Sequence, residues 1–252
     1  MLKNFLTICL FFALSHKALA SFDENKTLPE GFVYLNNIDS TIIIQMRYCT
    51  EDNFVGTKID GYKSSVAVLT KEAASALKNV QDELKDKGYT LVVYDAYRSP
   101  VADEHIKRWL HDVNDQTTKP TFYPNIQKPD IPKHGYIKIK SPYNRGSTVA
   151  LTLMLSCNEL KPINEIKRVT DDGSEFVFRD DGTADMGSSF DLFDDASSHN
   201  SSKIPPQASF FRNILRETMM KHGFVPSNLV WWEYTLAKEP FPDTSFDFDI
   251  EQ

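Results

Sequence analysis

The sequence has no apolar run long enough to cross a bilayer, no internal repeat, no paired CxxC and only three cysteines in 252 residues. The templates H-E-x-x-H, G-x-S-x-G and the phosphate loop are also missing, so no local motif announces a metallopeptidase, a serine hydrolase or a nucleotide-binding enzyme. Basic charge is scarce: 28 Lys and Arg face 35 Asp and Glu, a net charge of −7. An acidic chain is a poor partner for a phosphate backbone, and nucleic-acid binding is not expected. The six histidines are scattered, at 16, 105, 111, 134, 199 and 222. Surface or capping roles suit each better than metal ligation, as for His222 just before a helix stop.

What is present starts with a targeting signature. Lys3 precedes "FLTICLFFAL", and "ALA" comes just before Ser21. The order of basic, apolar and small residues reads as a signal peptide over 1–20, cleaved after Ala20. The expected mature chain, 21–252, is exported to a periplasm or secreted, with no stable membrane insertion after cleavage. Losing Lys3 and Lys17, and no acid, takes the net charge from −7 to −9, and Cys9 leaves as well. Cys49 and Cys157 then remain in an oxidising compartment; pairing requires Cα atoms within about 7 Å, which sequence does not give.

About two fifths of the residues are hydrophobic, enough for one medium-sized domain with a full core. "TIIIQMRYCT" has the β-branched content of a buried strand, and "EDNFVGTKIDGYKSS" that of a loop. "LTKEAASALKNVQDELKDKG" predicts a helix with Ala73, Leu77, Val80 and Leu84 on one face, Thr70 as N-cap and Gly88 as the stop. "YTLVVYDAYR" reads as a strand, and Ser99 and Pro100 open a second helix. A polar, proline-rich segment, 114–134, leads to a strand pair around 136–155. In "STVALTLML", Val149, Leu151, Leu153 and Leu155 share one face, and Thr148, Ala150, Thr152 and Met154 the other, which can look into a cleft. Residues 157–182 form a hairpin or excursion. Phe211, Ile214, Leu215 and Met219 make a helical stripe, and "LVWWEYTL" is a final aromatic strand. The mixed order, without a repeated βαβ unit, predicts an α+β fold, a single domain with a central, mainly antiparallel sheet and packed helices.

Five ordered blocks, "MRYCTEDNFVGTKIDGY", "YDAYRSP", "SPYNRGSTVALTL", "DMGSSFDLF" and "VWWEYTLAKEPFPDTSFDFDI", carry a resemblance. Together they resemble the D-alanyl-D-alanine dipeptidases, the VanX-like zinc peptidases of family M15, from about Met46 to Ile250. The resemblance implies the fold of that family and a cleft for a small peptide. It also implies a zinc held by the His and Asp of S-x-H-x-x-G-x-x-x-D and the His of E-x-W-H, with the Glu of the last motif as base. Ser141 and Gly146 fit the first pattern, but Tyr143 stands at its histidine and Ala150 at its aspartate. In the last motif Val230 replaces the base and Glu233 the histidine. Alanine and valine offer no donor, and a phenol with an ordinary pKa of about 10 stays protonated at neutral pH.

No metal or other cofactor is therefore expected, and the chain reads as a catalytically inactive pseudopeptidase whose cleft binds a small peptide or peptidoglycan fragment. By motif position Arg98 matches the family's catalytic arginine. Asp191 matches the carboxylate that anchors the substrate amine, and Tyr48, Tyr62 and Ser141 line the substrate pocket. Two alternatives stay open. One is an active zinc dipeptidase with a shifted site, for instance through His134 or His199; the other is an interaction protein using 157–182, with a vestigial cleft. Val230 and Glu233 would face opposite sides of a regular strand, so a bend or bulge is expected between them.

Overall fold

A computed structural model describes residues 28–138, 140–170 and 173–251; the expected signal peptide, 1–20, lies outside the described residues. In chain order the elements are β1 (Phe32–Tyr34), α1 (Leu35–Ile38), β2 (Ile43–Ile44), β3 (Val68–Thr70), α2 (Lys71–Asp86), β4 (Tyr89–Asp95), α3 (Pro100–His111) and α4 (Lys119–Phe122). They continue with β5 (Thr148–Leu155), β6 (Asn164–Val169), β7 (Glu175–Asp180), α5 (Pro206–Lys221), β8 (Phe224–Pro226) and β9 (Glu233–Leu236). Five strands form the central sheet in the order β2, β4, β5, β9, β8. Only the β2 and β4 pair is parallel, so the α+β, mainly antiparallel class holds.

The predicted helix at 70–88 is α2. Thr70 accepts from the Ala73 amide, and Ala73, Leu77, Val80 and Leu84 are buried. Gly88 ends it at φ 81°. Residues 157–182 carry the hairpin β6–β7, paired from Asn164 with Asp180 to Val169 with Glu175.

Three strands are shorter than expected. "TIIIQMRYCT" is a strand only over Ile43–Ile44, because a 3-10 turn, Arg47–Cys49, follows at once. No strand forms at 136–138: the chain there turns, and Pro142–Arg145 is another 3-10 turn. The aromatic strand starts at Glu233, with Trp231 and Trp232 in a turn, which is the expected bend between Val230 and Glu233. On β5 both faces are covered from Thr148 to Met154, and Leu155 is exposed. Ala150 is fully buried, so its face is a floor under the site rather than an open wall.

Cys49 and Cys157 are free. The Cys49 thiol donates to the Ser64 carbonyl at 3.0 Å, and burial pushes its pKa up to about 11.

Residues 246–250 close the structure from behind. Phe248 stacks on Tyr97 with ring centroids 3.9 Å apart, Phe246 meets Phe32 edge-on at 4.7 Å, and Ile250 bridges to Tyr62.

Candidate functional site

A cleft of about 60 Å³ opens between the 3-10 turn at 142–145, the turn before β9, the start of α3 and the loop carrying Asp191; Arg98, Ser141, Tyr143, Val230 and Glu233 are among its walls. Tyr48 and Asp191 also line it. Six of the residues singled out from sequence thus share one cleft with Glu233. Tyr62 sits one layer behind, its ring edge-on to Tyr48 at 5.6 Å. Ala150 lies beneath. It is paired with Asp95 on β4 and Glu233 on β9, and paired residues in adjacent strands point to one face.

Local geometry explains the placement of the turn. The Ser141 hydroxyl oxygen accepts from the Tyr143 amide at 3.3 Å, and Gly146 ends the turn at φ 73°. A Cβ at Gly146 would stand 2.2 Å from the Phe32 ring, so both the backbone and the close approach require glycine. The turn thereby aims Tyr143 at the cleft.

Arg98 is the centre of the charge arrangement. Its guanidinium donates to the fully buried Asp95 carboxylate at 2.7 Å, lies 3.7 Å from Asp103, and sits 4.5 Å from the centre of the Tyr143 ring and 5.1 Å from that of Tyr48. The Tyr62 hydroxyl donates to Asp95 at 2.5 Å. Burial pushes the Asp95 carboxyl up, while Arg98 and Tyr62 pull it back. Burial works against the Arg98 charge, but Asp95, Tyr62 and Tyr48 hold its pKa well above the ordinary value. Asp95 was not singled out from sequence. A carboxylate three residues before a candidate arginine, at the end of a buried strand, was the available signal.

Asp191 is unlike the other acids. It is buried and, among the described non-glycine residues, alone in the left-handed region, at φ 63°. The Tyr48 hydroxyl lies 3.0 and 3.1 Å from its two oxygens, and no described cation forms an ion pair with it. Burial pushes its pKa up to about 8, against the pull of the Tyr48 hydrogen bond and of Arg98.

At the positions where the resemblance implies ligands and base, the chemistry is different. Burial, and then the neighbouring Glu233 and Asp95, push the Tyr143 phenol well above its usual pKa. Glu233 accepts from the Lys138 ammonium at 2.9 Å, a cation from the 131–138 turns that sequence reasoning missed. Val230 presents only carbon. His134 and His199 are not among the cleft's lining residues, and both ring nitrogens of buried His199 lack a protein partner. Of the residues at these positions only Glu233 is a ready zinc donor near neutral pH, and it is engaged by Lys138, so this set does not fit a zinc ion.

Comparisons with known proteins extend across most of the chain. The D-ala-D-ala dipeptidase family, peptidase M15, matches residues 29–164 and 175–251. A D-alanyl-D-alanine dipeptidase of Enterococcus faecalis is 33% identical over 224 residues, covering 88% of this chain and 100% of the relative. Another, from Streptomyces coelicolor, is 34% identical over 87% of this chain and 98% of its own length. One from Escherichia coli is 25% identical over 77% of this chain and 79% of its own. With matches spanning both sides of the hairpin and nearly whole relatives, this chain belongs to the D-alanyl-D-alanine dipeptidase family, peptidase M15.

Proposed function

We propose that the protein is a catalytically silent member of its family, a pseudopeptidase whose cleft binds a small peptide bearing a free amine, such as D-alanyl-D-alanine or a related cell-wall fragment, without metal. One observation carries the reading. Asp191 is a buried carboxyl, held in a left-handed conformation and open to the cleft, with a phenol as its hydrogen-bond partner and no cation paired with it among the described residues. A buried carboxylate is costly unless paired, and a non-glycine residue at positive φ carries a backbone cost that persists only where the surrounding structure imposes it. A ligand ammonium supplies the missing partner.

The neighbouring groups define the rest of the ligand. Arg98, fixed by Asp95 and set against two aromatic rings, offers its remaining N–H groups to a carbonyl or carboxylate. The Ser141 hydroxyl and the Tyr143 phenol add neutral polar contacts at the wall. In this reading nothing at 230 takes a proton from water, so a bound peptide leaves intact.

The test is calorimetric titration of D-alanyl-D-alanine into the protein in the presence of a chelator. Binding in the micromolar to millimolar range, lost in Asp191→Asn, supports the reading. Hydrolysis that appears with added zinc and stops with chelator establishes the active enzyme instead. No binding to parent protein overturns the amine-binding reading and leaves the hairpin β6–β7, with exposed Ile166 and Val169, as the surface to examine for partners.

A further inference from the structure

Behind the cleft, α5 buries an arginine that the sequence pattern left on no particular face. Arg212 is 1% exposed. Its guanidinium donates to the carbonyls of Met186 at 2.6 Å, Ser198 at 2.5 Å and Ala196 at 2.8 Å, and to the Ser188 hydroxyl at 3.1 Å. All four acceptors belong to one loop, 186–198, and they come from both of its stems. Asp191 lies between those stems.

The Ser188 hydroxyl is a junction. Besides Arg212 it meets the Ser197 hydroxyl at 3.1 Å and receives the Trp231 indole N–H at 3.0 Å. The Ser197 hydroxyl also donates to the Leu192 carbonyl at 2.7 Å, one residue past Asp191. Trp231 belongs to the turn that presents Val230 and Glu233. One buried guanidinium thus ties the loop of Asp191 to the turn on the cleft's other wall.

No carboxylate pairs with Arg212 among the described residues. Burial, partly offset by Tyr234 and Asp185, lowers its pKa to about 9. A buried cation satisfied only by neutral oxygens is an expensive way to stabilise a helix. Apolar packing would cover the same face at less cost. The geometry of its contacts suits a different task, which is closing a loop in one conformation.

We propose that Arg212 is a positioning residue for the ligand-binding site: by clamping both stems of the 186–198 loop it holds Asp191 in its left-handed, buried conformation. The value of the clamp for ligand binding rests on the amine-binding reading above, but the positioning itself does not. Released from the clamp, the loop relaxes toward ordinary backbone angles, and Asp191 turns into water.

The experiment follows the Asp191 carboxyl directly, by carbon NMR titration assigned with Asp191→Asn, in the parent, Arg212→Gln and Ser188→Ala. Calorimetric titration with D-alanyl-D-alanine accompanies it. The expected result is a fall of at least about one pH unit in the Asp191 midpoint, toward the usual carboxylate value, in both variants. Dipeptide affinity is expected to fall about tenfold in Arg212→Gln, and less in Ser188→Ala. If Arg212→Gln does not fold, Ser188→Ala decides alone. Folded variants that keep the parental midpoint overturn the positioning role, even if they melt earlier, because a purely structural arginine changes stability without moving Asp191. A shifted midpoint in a protein that binds no dipeptide preserves the clamp and refutes only the amine-binding reading.

Discussion

Replacing Asp191 by asparagine is expected to stabilise the protein while abolishing the proposed dipeptide binding. The folded carboxyl titrates near 8, whereas an unfolded aspartate titrates near 3.9. Below about pH 4 both states hold the proton. Between about 4 and 8 only the folded state holds it, so unfolding releases a proton, and rising pH favours the unfolded chain. The stability difference grows by about 1.4 kcal/mol per pH unit, reaching roughly 4 kcal/mol at pH 7. An amide cannot ionise, tolerates the left-handed backbone, and keeps an acceptor for the Tyr48 hydroxyl. Asp191→Asn should therefore match the parent near pH 4 and exceed it increasingly up to pH 8. Urea unfolding of both proteins at pH 4.5, 6, 7 and 8 measures this. Parallel curves across that range, or a variant weaker than the parent at pH 8, would refute the assignment of Asp191 as a buried, unpaired acid.

Other expectations follow from the same geometry. Because the carboxyl must lose its proton to receive an ammonium, dipeptide affinity should rise about tenfold per pH unit up to about pH 8, with proton release visible when calorimetry is repeated in buffers of different ionisation enthalpy; flat affinity between pH 6 and 8 contradicts it. His199 is buried and its pKa is pushed down to about 4 by burial, then by Arg216 and Arg212. Its folded pKa is depressed, so stability should fall as pH drops from about 6.5 toward 4, and His199→Phe should flatten that limb in urea melts. Tyr62→Phe removes a hydrogen bond to the buried Asp95 and should cost about 1–3 kcal/mol, read from denaturant midpoints. Zinc should leave the melting temperature of the parent unchanged, whereas Tyr143→His, Ala150→Asp and Glu233→His combined should yield a protein stabilised by zinc. Without the ion, a carboxylate introduced at 150 sits buried between Asp95 on β4 and position 233 on β9 and should lower stability.

Much of this was legible in the residues. The helix at 70–88 followed from its 3.6-residue period together with Thr70 and Gly88, because local propensity and burial agree there. Tyr48, Arg98, Ser141, Tyr143, Asp191, Val230 and Glu233 were named from ordered motifs, and the fold brings them to one cleft. The strand ends were not legible. In "TIIIQMRYCT" the β-branched run predicts extension, but a 3-10 turn places Arg47 and Tyr48 through partners far along the chain: Asp181 for Arg47 and Asp191 for Tyr48. Lys138 and Arg212 were missed for a similar reason. A lysine in a turn-rich stretch and an arginine beside a helical stripe look solvated until their acceptors, Glu233 and the 186–198 carbonyls, are located in space.

The tail at 246–250 has a consequence for how the cleft comes into being. The Tyr97 hydroxyl shares its one proton between the Phe246 and Phe248 carbonyls and accepts from the Phe248 amide, while the Lys63 amide donates to the Ile250 carbonyl. The residues behind Tyr62 and Arg98 are thus made early in synthesis, but their covering arrives some 150 residues later. Until then an aromatic surface centred on Phe32 and Tyr97 stands open. Covering that surface therefore depends on contacts of very long sequence separation, the kind that closes slowly when the chain folds.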